Sequence, residues 1–89
     1  MKNILSFMSQ GWDDYLYWQM QDKKTIKRIH QLIQDIDRNA YEGIGKPEPL
    51  KNDLSGYWSR RIDESNRIVY KIVGNEIIIF SCRTHYGDH

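Results

Sequence analysis

The sequence predicts an α+β fold in the order β-α-α-β-β-β, with two N-terminal helices packed on one face of a largely antiparallel sheet. Three observations predict it. Ile26, Ile29, Ile33 and Ile36 recur with helical spacing, and Leu32 widens their stripe. Gly43, Gly45, Pro47 and Pro49 then break any regular element between Tyr41 and Leu50. Beyond them, β-branched and aromatic runs are separated by the turn segments Asp63-Glu64-Ser65-Asn66 and Gly74-Asn75-Glu76.

Taken in order, residues 2–8 read as a short apolar strand carrying Ile4, Leu5, Phe7 and Met8. Ser9 is placed to cap a first helix running to about residue 20, whose dipole favours Asp13 and Asp14 near its first turn. Trp12, Tyr15, Leu16 and Gln19 share one face of that helix. Asp22 caps the second helix. Lys23, Lys24, Lys27 and Arg28 crowd its opening turns, where the dipole disfavours cations. They form either a solvated face or a basic patch for an RNA or ribosomal surface. His30, beside the apolar stripe, reads as a boundary residue.

Three strands are expected at about 57–62, 67–73 and 77–84. Strand residues alternate faces, so register decides which side chains meet. Setting Ile68, Tyr70 and Ile72 together with Ile78, Phe80 and Cys82 against the helices requires a three-residue loop, 74–76, with Val73 paired to Ile77. That register sends Arg67, Val69, Lys71, Ile79, Ser81, Arg83 and His85 to the opposite, open face, with Arg67 across from Arg83. If Trp58 and Ile62 join the core, Tyr57, Ser59 and Arg61 face the open side as well. Like charges facing each other destabilise a sheet. A bound polyanion supplies a reason to gather Arg61, Arg67, Lys71 and Arg83 there.

Eighty-nine residues accommodate one domain, 1–89. Thirteen Lys/Arg against twelve Asp/Glu leave bulk charge near balance, so an anion site must come from local clustering. The one cysteine, Cys82, lies in an apolar run and reads as a buried structural thiol, which fits a reducing cytoplasm. No signal-peptide pattern is visible, and no run approaches the roughly 20 apolar residues of a membrane helix. No Cys/His cluster has zinc spacing. The expectation is a cytoplasmic protein that works without metal or cofactor.

Cleaving RNA without a metal needs a base for the 2′-hydroxyl proton, cations for the transition state, and an acid for the leaving 5′-oxygen. Glu48, held between Pro47 and Pro49, is the natural base, and Arg67 the cation for the scissile phosphate. His85, with an ordinary pKa near 6.5, is the natural acid. Tyr86 can stack on a base or assist proton transfer. Arg61 and Arg83 add positive charge to the same face.

Trp12-Asp13-Asp14-Tyr15-Leu16-Tyr17-Trp18 and Gly45-Lys46-Pro47-Glu48-Pro49-Leu50-Lys51 are distinctive segments. So are Leu54-Ser55-Gly56-Tyr57-Trp58-Ser59-Arg60-Arg61-Ile62, Arg67-Ile68-Val69-Tyr70 and Cys82-Arg83-Thr84-His85-Tyr86. In order and spacing they closely resemble the YoeB toxins of the RelE/ParE superfamily of bacterial toxin–antitoxin systems, over essentially the whole chain. The resemblance implies a RelE-like domain and a ribosome-dependent messenger-RNA endonuclease that cuts in the decoding site and blocks translation. It places the base on Glu48, phosphate binding on Arg67, the acid on His85 and substrate positioning on Tyr86. Lys51 and Arg61 match accessory basic positions. It also implies a co-expressed YefM-type antitoxin whose flexible tail covers the active residues. One departure is the extension Gly87-Asp88-His89, because the family pattern often ends at or just after the His-Tyr pair. Two readings from other classes are a non-catalytic toxin like the ParE branch, acting on DNA gyrase, and a plain RNA-binding module. The joint presence of Glu48, Arg67 and His85 argues against the first. Base preference and oligomeric state, a homodimer included, stay open.

Overall fold

The second helix forms where Asp22 starts it. The Asp22 carboxylate accepts the backbone N–H of Lys24 at 3.0 Å and of Thr25 at 3.4 Å, and the Thr25 hydroxyl at 2.8 Å. The stripe Ile29, Leu32, Ile33 and Ile36 is buried against Ile62, Ile68, Tyr70, Ile77, Ile79 and Cys82 of the sheet. Each fully buried side chain of this kind contributes about 1.5–3 kcal/mol.

The structure, a computed structural model, describes residues 1–84. Its elements are β1 (Ile4–Phe7), α1 (Ser9–Gln21), α2 (Lys23–Arg38), β2 (Glu48–Pro49), a short 3₁₀ turn (Asn52–Leu54), β3 (Trp58–Arg61), β4 (Arg67–Val73) and β5 (Glu76–Thr84). The sheet runs β1-β5-β4-β3-β2, antiparallel except where β1 lies parallel to β5. The α+β architecture with two N-terminal helices is the expected one. The two-residue strand β2 is an addition, formed where a Pro-Glu-Pro loop was expected. Among the described residues no helix is long and apolar enough to cross a membrane.

Helix α1 departs from expectation in two ways. Ser9 is inside the helix; Met8 takes the cap position in an extended conformation, with no side-chain cap. The cause is the strand before it: the Met8 N–H still follows the β1 ladder, donating to the Ile79 carbonyl at 2.9 Å. The inward face is also rotated. Trp12 and Leu16 are 47% and 39% exposed, while Gly11 and Asp14 are buried. α1 lies along β5, and a Cβ on Gly11 would sit 2.5 Å from the Ile79 carbonyl oxygen, so only glycine permits this approach. There Asp14 accepts the Cys82 N–H at 3.0 Å, and the Trp18 indole donates to the Cys82 carbonyl at 2.8 Å.

The β4–β5 register is corrected too. Val73 pairs with Glu76, not Ile77, so the loop holds two residues, Gly74 and Asn75. Gly74, at φ 60, supplies the left-handed conformation that such a turn needs. With that loop Ile77 and Ile79 pair with Ile72 and Tyr70 on the helix face. Register shifts between Arg67 and Val69 and between Val69 and Tyr70 reset the alternation. The residues of β5 in the helix-side core are therefore Ile77, Ile79 and Cys82, in place of Ile78, Phe80 and Cys82, while Ser81 is buried across from Val69. Phe80 instead lies against the Tyr57 ring, 5.4 Å between centroids.

Candidate functional site

β3 deals successive residues to opposite faces, and that alternation builds both halves of the site. On the open face, Glu48, Ser59, Val69 and Ser81 form one row across β2, β3, β4 and β5. β2 matters because pairing Glu48 with Ser59 fixes a carboxylate that a free loop would leave wandering. Arg67, at the start of β4, donates through Nη1 to Glu48 Oε1 at 2.6 Å and to Ser59 Oγ at 3.1 Å. The Arg67 side chain is 14% exposed and that of Glu48 50%. The cations of this face are thus not without an acid: Glu48 itself supplies the counter-charge. Ser59 and Ser81 are fully buried, and Ser81 Oγ has no hydrogen-bond partner among the described residues. Lys71 places its ammonium 4.9 Å from the centre of the Tyr57 ring.

The structure brings together Glu48, Arg67 and Arg61, because Arg61 pairs with Arg67 across the β3–β4 ladder. Arg61 is exposed, and its carbonyl accepts from Arg28 Nη2 at 3.3 Å. Lys51 is exposed and caps the 3₁₀ turn two residues after β2. Arg83 is not across from Arg67. The corrected register gives that position to Thr84, and the Arg83 guanidinium lies 3.4 Å from the centre of the Tyr17 ring on α1. His85 and Tyr86, assigned as acid and substrate-positioning aromatic, lie outside the described residues.

On the helix face Arg60 is fully buried, and all five of its donors are used. Nε donates to the Tyr70 hydroxyl at 3.2 Å; Nη1 donates to Asp35 at 2.5 Å and the Ile44 carbonyl at 3.2 Å. Nη2 donates to the carbonyls of Asn39 at 2.6 Å and Glu42 at 3.0 Å. The Tyr70 hydroxyl in turn donates to Ala40 O at 2.6 Å. One side chain thus gathers the segment 39–44 that leads into β2. Gly43, at φ 130, is required there, since a Cβ would fall on the Asp35 carboxylate. Asp35 is held down to about 2, chiefly by Arg38, with the Ile44 N–H and Arg60 adding to it against the effect of burial. Burial pushes the Tyr70 phenol upward.

Sequence reasoning missed Arg60 and Asp35, and it placed Ser59 on the open face without its contact to Arg67. A signal for Arg60 was present: alternation places it between Trp58 and Ile62 on the core face, where a guanidinium must find a full set of acceptors. Cys82 is buried, its thiol pushed up to about 12 by burial and by Asp14, as suits a structural thiol. Among the described residues, no group of three or more His, Cys, Asp and Glu is placed to hold a metal ion.

Arranged this way, the open face offers a carboxylate and a guanidinium in contact, both reachable from solvent, with more positive charge beside them. That set can bind a phosphodiester and accept a proton next to it. Known proteins resemble this chain in sequence and in fold. The family model described as YoeB-like toxin of bacterial type II toxin-antitoxin system matches residues 7–86. Toxin YoeB of Streptomyces coelicolor is 54% identical over 82 residues, spanning 92% of this chain and 98% of that protein. The YoeB dimer from Staphylococcus aureus superimposes with a TM-score of 0.91 at 49% identity, covering 97% of this chain and 100% of that one. YoeB in the heterotetrameric YoeB–YefM toxin–antitoxin complex from S. aureus gives 0.88 at 48% identity, with the same coverage. This chain belongs to the YoeB family of toxins from bacterial type II toxin–antitoxin systems.

Proposed function

We propose that this toxin is a cytoplasmic, metal-independent endoribonuclease that cuts messenger RNA in the ribosomal decoding site and so blocks translation. The observation that carries the reading is the Glu48–Arg67 contact of 2.6 Å on the open face, steadied by Ser59. A substrate phosphate competes for the Arg67 guanidinium and frees Glu48 to take the 2′-hydroxyl proton. The 2′-oxygen then attacks phosphorus, Arg67 stabilises the added charge, and the 5′-oxygen leaves with a proton from His85. The products are a 2′,3′-cyclic phosphate and a 5′-hydroxyl. Tyr86 positions the substrate, and Lys51, Arg61 and Arg83 bind it. A YefM-type antitoxin is the proposed partner, supported by the S. aureus YoeB–YefM complex. A homodimer is supported by the S. aureus YoeB dimer.

The test is cleavage of a ribosome-bound message by the wild type, Glu48→Gln and His85→Ala, with transition metals chelated and ribosomes intact. Cutting by the wild type that is lost in both variants is the expected outcome. Wild-type rates in both variants would show that the acid–base pair is wrong. No cutting by any of them, with RNA still bound, would favour a plain RNA-binding module.

A further inference from the structure

The cations that open α2 have no role in the site described above, yet the structure connects them to it. Among the described residues, Lys24, Lys27 and Arg28 make no ion pair with a carboxylate. Asp22 is close to Lys24, but its oxygens are occupied by the N–H groups of Lys24 and Thr25 and by the Thr25 hydroxyl. These cations also stand at the positive end of the helix dipole, where they oppose helix formation. Position supplies the second observation. Arg28 donates to the Arg61 carbonyl at 3.3 Å, and Arg61 is the ladder partner of Arg67. Lys24 lies one turn before Arg28 on the same side of α2, and Lys27 three residues from Lys24. A line of positive charge therefore leaves the Arg67 site, passes Arg61 at the end of β3 and continues along the first turns of α2. The acids nearest Arg61 in sequence are Asp63, which accepts the N–H groups of Ser65 and Asn66 at 2.7 and 2.6 Å, and exposed Glu64.

We propose that this line is a subsite for the substrate strand itself, holding the phosphates that follow the scissile one through Arg61, Arg28, Lys24 and Lys27. It rests on the reading of the Arg67 site as a phosphodiester site. Continuity favours the substrate strand over a separate RNA: Arg61 pairs with the arginine that takes the scissile phosphate, and its carbonyl holds Arg28 of α2. Each phosphate held this way releases counterions and adds to the salt dependence of binding.

The probe is single-stranded RNA methylated at every 2′-oxygen, which has no nucleophile and is not cut, read by fluorescence anisotropy as a trinucleotide and as a decanucleotide. Wild type is expected to gain affinity with length. The triple variant Lys24→Gln/Lys27→Gln/Arg28→Gln is expected to bind the trinucleotide as wild type does and to lose about tenfold of the gain with length. Its log–log salt slope for the decanucleotide falls by about 2, from roughly 0.7 per lost single-strand phosphate contact. The double variant Lys24→Gln/Lys27→Gln leaves the Arg28–Arg61 bond in place and is expected to lose about 1.4 from the slope. An unchanged gain with length, or an unchanged slope, overturns the proposal. So does a triple variant that binds both oligonucleotides normally and is defective only towards ribosomes or antitoxin. Arg67→Ala separates the two claims. If it fails to weaken the trinucleotide, the phosphate site is misread; if it weakens both RNAs while the triple variant matches wild type, only the subsite falls.

Discussion

Two arginine–carboxylate pairs stand on opposite faces of the same sheet and differ in every respect that decides their use. Arg60 and Asp35 have side chains 0% and 11% exposed, and Arg60 spends all five donors on Asp35, Tyr70 and three backbone carbonyls. Arg67 and Glu48 are 14% and 50% exposed, and both contacts found for Arg67 use Nη1. A pair with every donor committed in a dry environment is a fastener, because breaking it leaves a charge stranded. A half-exposed pair gains little from its own contact and can trade its carboxylate for a phosphate at low cost. The same chemistry thus holds a loop on one face and is free to react on the other.

The comparison can be broken at either end. Arg60→Met is expected to cost about 3–5 kcal/mol, since Asp35 and the carbonyls of the 39–44 segment lose their donors. Urea denaturation measures it, and a loss below about 1 kcal/mol would mean that this pair is no fastener. Glu48→Gln should lower cleavage on the order of 10³-fold while shifting stability by less than about 1 kcal/mol. If single-turnover rates hold and the protein instead unfolds readily, the two faces have been assigned the wrong way round.

Acid sharpens the contrast. Asp35 sits at about 2 in the fold against 3.8 ordinarily. A depressed folded-state value means that its stabilising contribution is complete above about pH 4 and is lost as pH falls towards 2. Unfolding followed between those limits should show a loss of stability in the wild type that is smaller in Asp35→Asn. Smallest of all is Ser59→Ala, expected to cost about 1 kcal/mol through the lost Arg67 contact. It should weaken substrate binding more than it slows the bound complex, as a comparison of KM with kcat would reveal.

The fold was legible wherever a periodic pattern spoke for itself. The α2 stripe, the Asp22 cap and the span Arg67–Val73 were readable because local chemistry and tertiary packing demand the same thing there. The register of β5 was not, because alternation was assumed unbroken and a bulge leaves no mark in Ile77-Ile78-Ile79-Phe80, where every residue is apolar. Of the site, the shared face of Arg61 and Arg67 followed from strand parity. The contact of Arg67 with Glu48 did not, because it depends on β2, and Glu48-Pro49 is too short and too proline-rich to announce a strand. Asp14 was read as a partner of the α1 dipole, whereas a backbone N–H on β5 draws its carboxylate inward.

That last contact has a consequence for how anything can approach the molecule. β1 pairs with β5 only as far as Ile79, which would leave the second half of the longest strand with an unpaired edge. Asp14 and Trp18 occupy the donor and acceptor of Cys82 that another strand would use. A partner peptide therefore finds no free ladder at Cys82 on which to extend the sheet by augmentation. Recognition at that edge must go through side chains, and Gly11, whose missing Cβ lets α1 lie this close, is the residue that enforces it.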